Sequence, residues 1–142
     1  MKKNSFLAMA LSLAFLTPAC KTARQAANDT PTELTGKWTI KSVNNKDIQI
    51  ERTPYMDFLA DNRLSAQVGC NLYNSSYTYQ PATGTLNFAA NGQMTMLFCP
   101  DMATEDAIVK AIAATKKVRK ASSGNCLEML NEKGEVILTL CK

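Results

Sequence analysis

Five cysteines, Cys20, Cys70, Cys99, Cys126 and Cys141, carry most of the chemistry open to this chain, and no histidine accompanies them. Without imidazole, serine–histidine and cysteine–histidine nucleophilic sites are excluded, and so is histidine-ligated zinc. An enzyme would have to run on carboxylates, lysine or tyrosine. Glu51, Asp57 and Asp61 are the candidate carboxylates for hydrolysis, but they flank turns and nothing fixes their spacing. No catalytic residue is assigned and no enzyme is expected. Met94, Met96, Cys99 and Met102 gather soft sulfur ligands of the kind that suit Cu(I). Strand alternation puts Met94 and Met96 on one face, which points to core packing instead. No metal and no cofactor are expected.

Cys20 differs from the other four by what precedes it. Lys2 and Lys3 form a short positive region, Phe6 to Leu16 is mostly apolar, and Thr17-Pro18-Ala19 leads into the cysteine. This is a secretory leader, too short to span a bilayer as a stable helix. A cysteine directly after small residues fits the acylation point of a bacterial lipoprotein. Residues 1–19 then form the signal peptide, and Cys20 is the lipid attachment. Ordinary secretion with cleavage after Ala19 is the alternative. The odd cysteine count favours lipidation, which leaves four cysteines for two disulfides. The expected location is the cell envelope, anchored to the outer membrane and facing the periplasm or the outside.

Removing Lys2 and Lys3 with the leader leaves 14 basic residues against 12 acidic ones, from 16 and 12 in the whole chain. No large field of one sign remains to grip nucleic acid, and none is expected as a partner. Residues 21–33 (KTARQAANDTPTE) are polar and without an apolar face, so 20–33 read as a flexible tether for the anchor. The body from Leu34 to the C-terminus is one domain's worth of chain.

From Leu34 on, short apolar–polar alternations are separated by turn signals. Gly36 to Val43 alternates with Trp38, Ile40 and Val43 inward. Asn44 to Asp47 is a turn, with Ile48 to Ile50 returning. Tyr55 to Leu59, Leu64 to Gly69 and Leu72 to Tyr79 follow. Thr85 to Phe88 and Gln93 to Phe98 flank Asn91-Gly92, a strong hairpin signal. Ala103 to Val118 breaks the pattern, with Ala107, Ile108, Ala111 and Ile112 at helical spacing. Asp101 or Thr104 can cap this helix, and Lys116 and Lys117 suit its last turn. The basic run Lys116 to Lys120 is read as a solvated helix end, with anionic lipid as the alternative. The count is eight or nine short strands and one helix.

The last hairpin can be read in register. A turn centred between Lys133 and Gly134 makes Cys126 face Cys141, Leu127 face Leu140 and Met129 face Leu138. Leu127, Met129, Val136, Leu138 and Leu140 then share the core face. Cys126 and Cys141 fall together on the other face, at a separation a disulfide can bridge. A disulfide is expected there, unless a one-residue bulge spoils the pairing.

Several segments, in order, resemble the META domain family. Leu34-Thr35-Gly36-Lys37-Trp38 is similar to the family's opening, with Gly36 and Trp38 as its fixed points. Gly69-Cys70-Asn71, followed by Tyr73 and Tyr77, resembles its glycine–cysteine–asparagine signature. Met94 to Pro100 resembles the later segment ending in Cys99-Pro100, and Glu105 falls where the family has a glutamate opening its helix. The resemblance covers Leu34 to the C-terminus. It implies a compact, mainly β fold, an antiparallel lipocalin-like β-barrel with one packed helix at about 103–118. It also implies links to the cell envelope and to stress, without a defined reaction.

The resemblance pairs Cys70 with Cys99. In an oxidising compartment a structural disulfide is the leading reading, with a redox-active pair as the alternative, against which the absence of a Cys-x-x-Cys counts. Tyr73, Tyr77, Tyr79 and Trp38 are expected as core and rim of a barrel filled by its own side chains. The expected function is therefore a non-catalytic, lipid-anchored envelope protein, a monomer that works through an unidentified envelope protein partner. A small-ligand carrier using the barrel mouth is the alternative.

Overall fold

A computed structural model of the chain describes residues 30–122 and 124–142. The leader, Cys20 and most of the expected tether lie outside the described residues. Among the described residues ten strands form: β1 (Gly36–Val43), β2 (Lys46–Asp47), β3 (Tyr55–Phe58), β4 (Arg63–Gln67), β5 (Leu72–Gln80), β6 (Thr85–Phe88), β7 (Gln93–Met94), β8 (Lys117–Lys120), β9 (Cys126–Leu130) and β10 (Val136–Cys141). The helix α1 (Met102–Ala114) lies between β7 and β8. The pairing order β1-β3-β4-β5-β6-β8-β9-β10 closes on itself through β10 and β1, every pair antiparallel. The result is an eight-stranded barrel, with β2 folded back on β1 and β7 added to the first residues of β5.

Alternation builds the interior. Trp38, Ile40, Met56, Phe58, Leu64, Ala66, Tyr73, Tyr77, Leu86, Leu127, Met129, Leu138 and Leu140 all turn inward and are buried. Phe58 meets the edge of Tyr77 with ring centroids 5.1 Å apart. An eight-stranded barrel is just wide enough for side chains to fill it, and here they do. Asn44 and Asn45, at φ of 49° and 60°, form the tight turn between β1 and β2. Asparagine tolerates that left-handed region, and two such residues give a turn whose twist matches the strands.

The structure corrects five expectations. The helix ends at Ala114, not Val118. Thr115 is already extended, and its hydroxyl caps back onto the Ala111 carbonyl at 2.9 Å. Beyond it the backbone is claimed from both sides: Lys116 N–H donates to Leu130 O, and Lys116 O accepts from Leu86 N–H. Two ladders outweigh one further helical turn, so the basic run is strand β8 with Val118 buried and the charges outward.

Asn91-Gly92 does not make a hairpin. β6 and β7 both pair with the same side of β5, Tyr77 with Phe88 and Tyr73 with Met94, as two pieces of one interrupted strand. Gly92 is needed for close approach, since a Cβ there would lie 2.0 Å from the Tyr73 hydroxyl. The third correction concerns methionine: Met94 is half-buried, but Met96 is 85% exposed, because regular pairing stops at Met94. Fourth, a bulge between Val136 and Leu138 turns Ile137 into the core in place of Val136. The register from Leu138 onward is the expected one, with Leu138 on Met129, Leu140 on Leu127 and Cys141 on Cys126. The return after Asp47 is also shorter than expected, since Ile48 to Ile50 form no strand.

Candidate functional site

The signature residues Gly69, Cys70 and Asn71 form the turn from β4 to β5, closed by Val68 N–H donating to Asn71 O at 3.0 Å. Glu105, in the first turn of α1, reaches into this turn and is 1% exposed. Its Oε1 accepts from the N–H of Cys70 at 2.6 Å and of Asn71 at 3.1 Å. Its Oε2 accepts from Asn71 Nδ2 at 2.7 Å. A carboxylate without partners could not stay buried. Three donors, and a place near the helix N-terminus, stabilise this one. Gly69 gives it room: a Cβ would stand 2.4 Å from Oε1 and 2.7 Å from Cγ.

Asn71, also 1% exposed, spends the rest of its amide on residues 95–99. Oδ1 accepts from Thr95 Oγ1 at 2.7 Å and from Leu97 N–H at 2.8 Å. Nδ2 donates to Leu97 O at 3.0 Å and lies 3.3 Å from Cys99 Sγ. One side chain thereby plays the part of a strand neighbour for a segment that leaves β5 after Thr95. The Cys70–Cys99 disulfide, with Cα atoms 6.2 Å apart, ties the same segment to the same turn. Cys99 is buried and Cys70 half-buried.

Both sulfurs and a Glu105 oxygen lie within 4.8 Å of one another, the only grouping of metal-ligand residues among the described residues. In the oxidised chain neither sulfur is a thiolate, which is the form a metal binds. Every group in this cluster is spent on holding the turn, the loop and the helix together. Met96 and Met102, from the considered soft-ligand set, are exposed, and Cys99 is bonded to Cys70.

The other singled-out residues collect elsewhere. Trp38 donates its indole N–H to Leu34 O at 2.8 Å, and the Lys142 ammonium sits 4.3 Å above its ring. Gly36, at φ 107°, leaves space beside Lys142. Pro31, Trp38, Cys126 and Lys142 line one cleft of about 310 Å³, and Cys126 is bonded to Cys141. Tyr79 donates its hydroxyl to Pro31 O, so the described chain enters the body at the far end of β5 from Leu72. Asp61 pairs with Arg63 at the surface, and Glu51 is exposed.

A profile of the META domain matches residues 32–142. The chain belongs to the META domain family. Among curated proteins none matches. Solved structures share the fold at low identity. One is an NMR structure from Burkholderia xenovorans, 16% identical, covering 95% of this chain and 97% of that one with a TM-score of 0.56. A second NMR structure is 18% identical, covering 84% and 93%, TM-score 0.55. The third is the crystal structure of a DUF4847 family protein from Bacteroides vulgatus, 13% identical, covering 75% and 92%, TM-score 0.53.

In this META domain, the family signature is thus a clasp with a loop on the outside of it. Sequence reading missed what the clasp presents. Met96 is 85% exposed, Leu97 58% and Phe98 94%, and Leu72 and Met102 are exposed as well. A signal was available, since residues 64–100 contain no charged side chain at all.

Proposed function

We propose that this META-domain protein is a non-catalytic, lipid-anchored component of the cell envelope that works through protein contacts. The observation that carries the reading is the loop Thr95–Cys99, clasped from within by Asn71, Glu105 and a disulfide, with three large apolar side chains in solvent. Exposed apolar patches of this kind mark contact sites on soluble domains. The polar residues of the signature are bonded to the protein's own backbone, which supports a structural and not a catalytic task for them. The leader and Cys20 support the anchor. The tether would join the body at Pro31, against Tyr79, while the loop extends from the Leu72 end of the same strand. Seven residues of strand separate them by roughly 23 Å, which favours a partner other than the anchoring bilayer. The barrel interior is filled by its own side chains, so a carrier would have to use surface clefts, such as those beside α1 or the one at Trp38 and Lys142.

Two experiments test the reading. Cys20→Ala should move the protein from the membrane to the soluble fraction; retention on the membrane ends the anchor claim. A photo-reactive benzoylphenylalanine at position 98, irradiated in intact cells, should give a cross-link to a polypeptide. A probe at Lys133, in the exposed β9–β10 turn, should not. Equal capture from both positions, or none from 98, rules out the loop as a contact surface.

A further inference from the structure

The methionines among the described residues sort sharply by exposure. Met56 and Met129 are fully buried, and the Met129 sulfur accepts from the Thr115 hydroxyl at 3.9 Å. Met94 is half-buried against the core. Met102 is 40% exposed and Met96 85%. Cys70, Cys99, Cys126 and Cys141 all stand in disulfides, so among the described residues no thiol meets an oxidant ahead of methionine.

The clasp keeps Met96 in solvent. Thr95 N–H donates to Leu72 O at 3.0 Å, and Leu97 is held to Asn71 through both its N–H and its C=O. Cys99 is bonded to Cys70. With the backbone fixed on both sides, the Met96 side chain cannot turn into the filled barrel. The bonds of the clasp run through Thr95, Leu97 and Cys99, so a change at the Met96 sulfur leaves them intact.

Oxidation there changes the surface and nothing beneath it. A lone pair of the sulfur attacks one oxygen of hydrogen peroxide. The S–O bond forms as the O–O bond breaks, and the second oxygen leaves as water with both protons. The sulfur gives up two electrons and the peroxide takes them. A flexible apolar side chain becomes a polar sulfoxide, which reductases return to the thioether. Such a change disrupts contacts made through methionine. A partner seated on the loop shields the sulfur, and an oxidised sulfur disfavours the partner; the two effects are one linkage.

We propose that Met96 is an oxidation site, at which a peroxide turns off the contact surface of the loop. This rests on the reading of the loop as a contact surface and adds how that surface is regulated. The full chain is treated with hydrogen peroxide in intact cells, and its peptides are weighed. The gain of one oxygen, about 16 Da, should appear at Met96 at least about tenfold faster than at Met56 or Met129, with Met102 in between. The thermal midpoint of the oxidised chain should stay where it was. In parallel, cells whose chain carries benzoylphenylalanine at position 98 are treated and then irradiated. Peroxide should lower the cross-link to the partner at least about tenfold. With Met96→Leu, which stays apolar but lacks the sulfur, the cross-link should survive the same dose. Oxygen arriving at Met56 or Met129 as fast as at Met96, or a fallen midpoint, would overturn the site. A sulfoxide at Met96 with an undiminished cross-link would overturn the switch and leave the contact reading standing. Equal loss with and without Met96→Leu would overturn the assignment to Met96. No cross-link even before peroxide would overturn the contact reading, and the regulation with it.

Discussion

The two disulfides close loops of 29 and 15 residues, yet they stand in opposite surroundings. Cys126 and Cys141 face each other across a hairpin whose strands are already hydrogen-bonded along their length. Take the sulfurs away and the ladder still defines where the residues lie. Cys70 and Cys99 join a turn to a segment with no ladder of its own. There the disulfide shares its task with two buried polar side chains, and behind it stands the exposed apolar loop. A cross-link laid over a formed ladder adds stability; one laid over a polar clasp also fixes the shape of a surface.

The sharpest way to break that contrast is to attack the clasp without touching a sulfur. Asn71→Ala leaves Glu105 Oε2 without its amide donor and strips Leu97 of both backbone partners. A buried group left unpaired costs about 1–3 kcal/mol, more when charged, so the whole change should cost about 3–4 kcal/mol. Glu105→Gln should approach this, because an amide nitrogen would then face the Asn71 amide. Urea unfolding measures the cost, and a change under 1 kcal/mol would show that the clasp is not what holds the loop.

Removing each disulfide sharpens the contrast further. In the chain-entropy account the Cys70→Ser/Cys99→Ser and Cys126→Ser/Cys141→Ser variants lose similar stability, about 3 kcal/mol each. Their local effects should differ. Amide hydrogen exchange at residues 95–99 should rise in the first variant and stay unchanged in the second. Exchange at Leu127 to Leu130 should stay low in both, since the ladder protects it. Equal loosening of both regions would mean that the disulfides do the same thing after all.

Much of the hairpin side of this comparison was legible in the sequence, and little of the clasp was. The register of β9 on β10 follows from a turn and a period of two, both local, and only the bulge at Ile137 escaped. The barrel was legible for the same reason, strand by strand. Glu105 and Gly69 lie far apart in sequence, and no periodicity brings them together; only the family resemblance flagged both. The end of α1 was misjudged because Lys116 and Lys117 suit a helix terminus as well as a strand, and pairing with β6 and β9 decides between them. Asn91-Gly92 misled because glycine there answers to the bulk of Tyr73, which local sequence does not reveal.

Gly69→Ala tests the clasp by volume alone. The added methyl would overlap Glu105 Oε1, Cγ and Cδ. A long side chain at the surface would swing away, but this one is pinned by three hydrogen bonds. Overpacking of this kind costs about 1–3 kcal/mol, and about 2 is expected. The control lies at the other disulfide. Gly124→Ala stands beside Cys126 Sγ at 3.6 Å, in ordinary contact, and its cost should come from its φ of 70°. Restoring Gly69→Ala with Glu105→Asp, which shortens the carboxylate arm, should recover part of the loss. No recovery would place the strain elsewhere.

The smallest effect expected is on pH. Burial, reinforced by Asp61 and Glu33, raises the Tyr77 phenol above its ordinary value of 10.0, and burial alone raises Tyr79. A group whose pKa is higher folded than unfolded favours the folded state in its protonated form. Its contribution is therefore intact below about pH 10 and declines as pH rises through the raised value. Neither tyrosine belongs to the clasp, but Tyr79 holds the Pro31 carbonyl where the chain enters the body. Alkaline titration followed by phenolate absorbance should release that end first, with exchange at 95–99 unchanged until the barrel unfolds. Loss of protection at the loop before the Pro31 end would reverse the ranking of the two regions, and would mean that the clasp, for all its bonds, is the weaker closure.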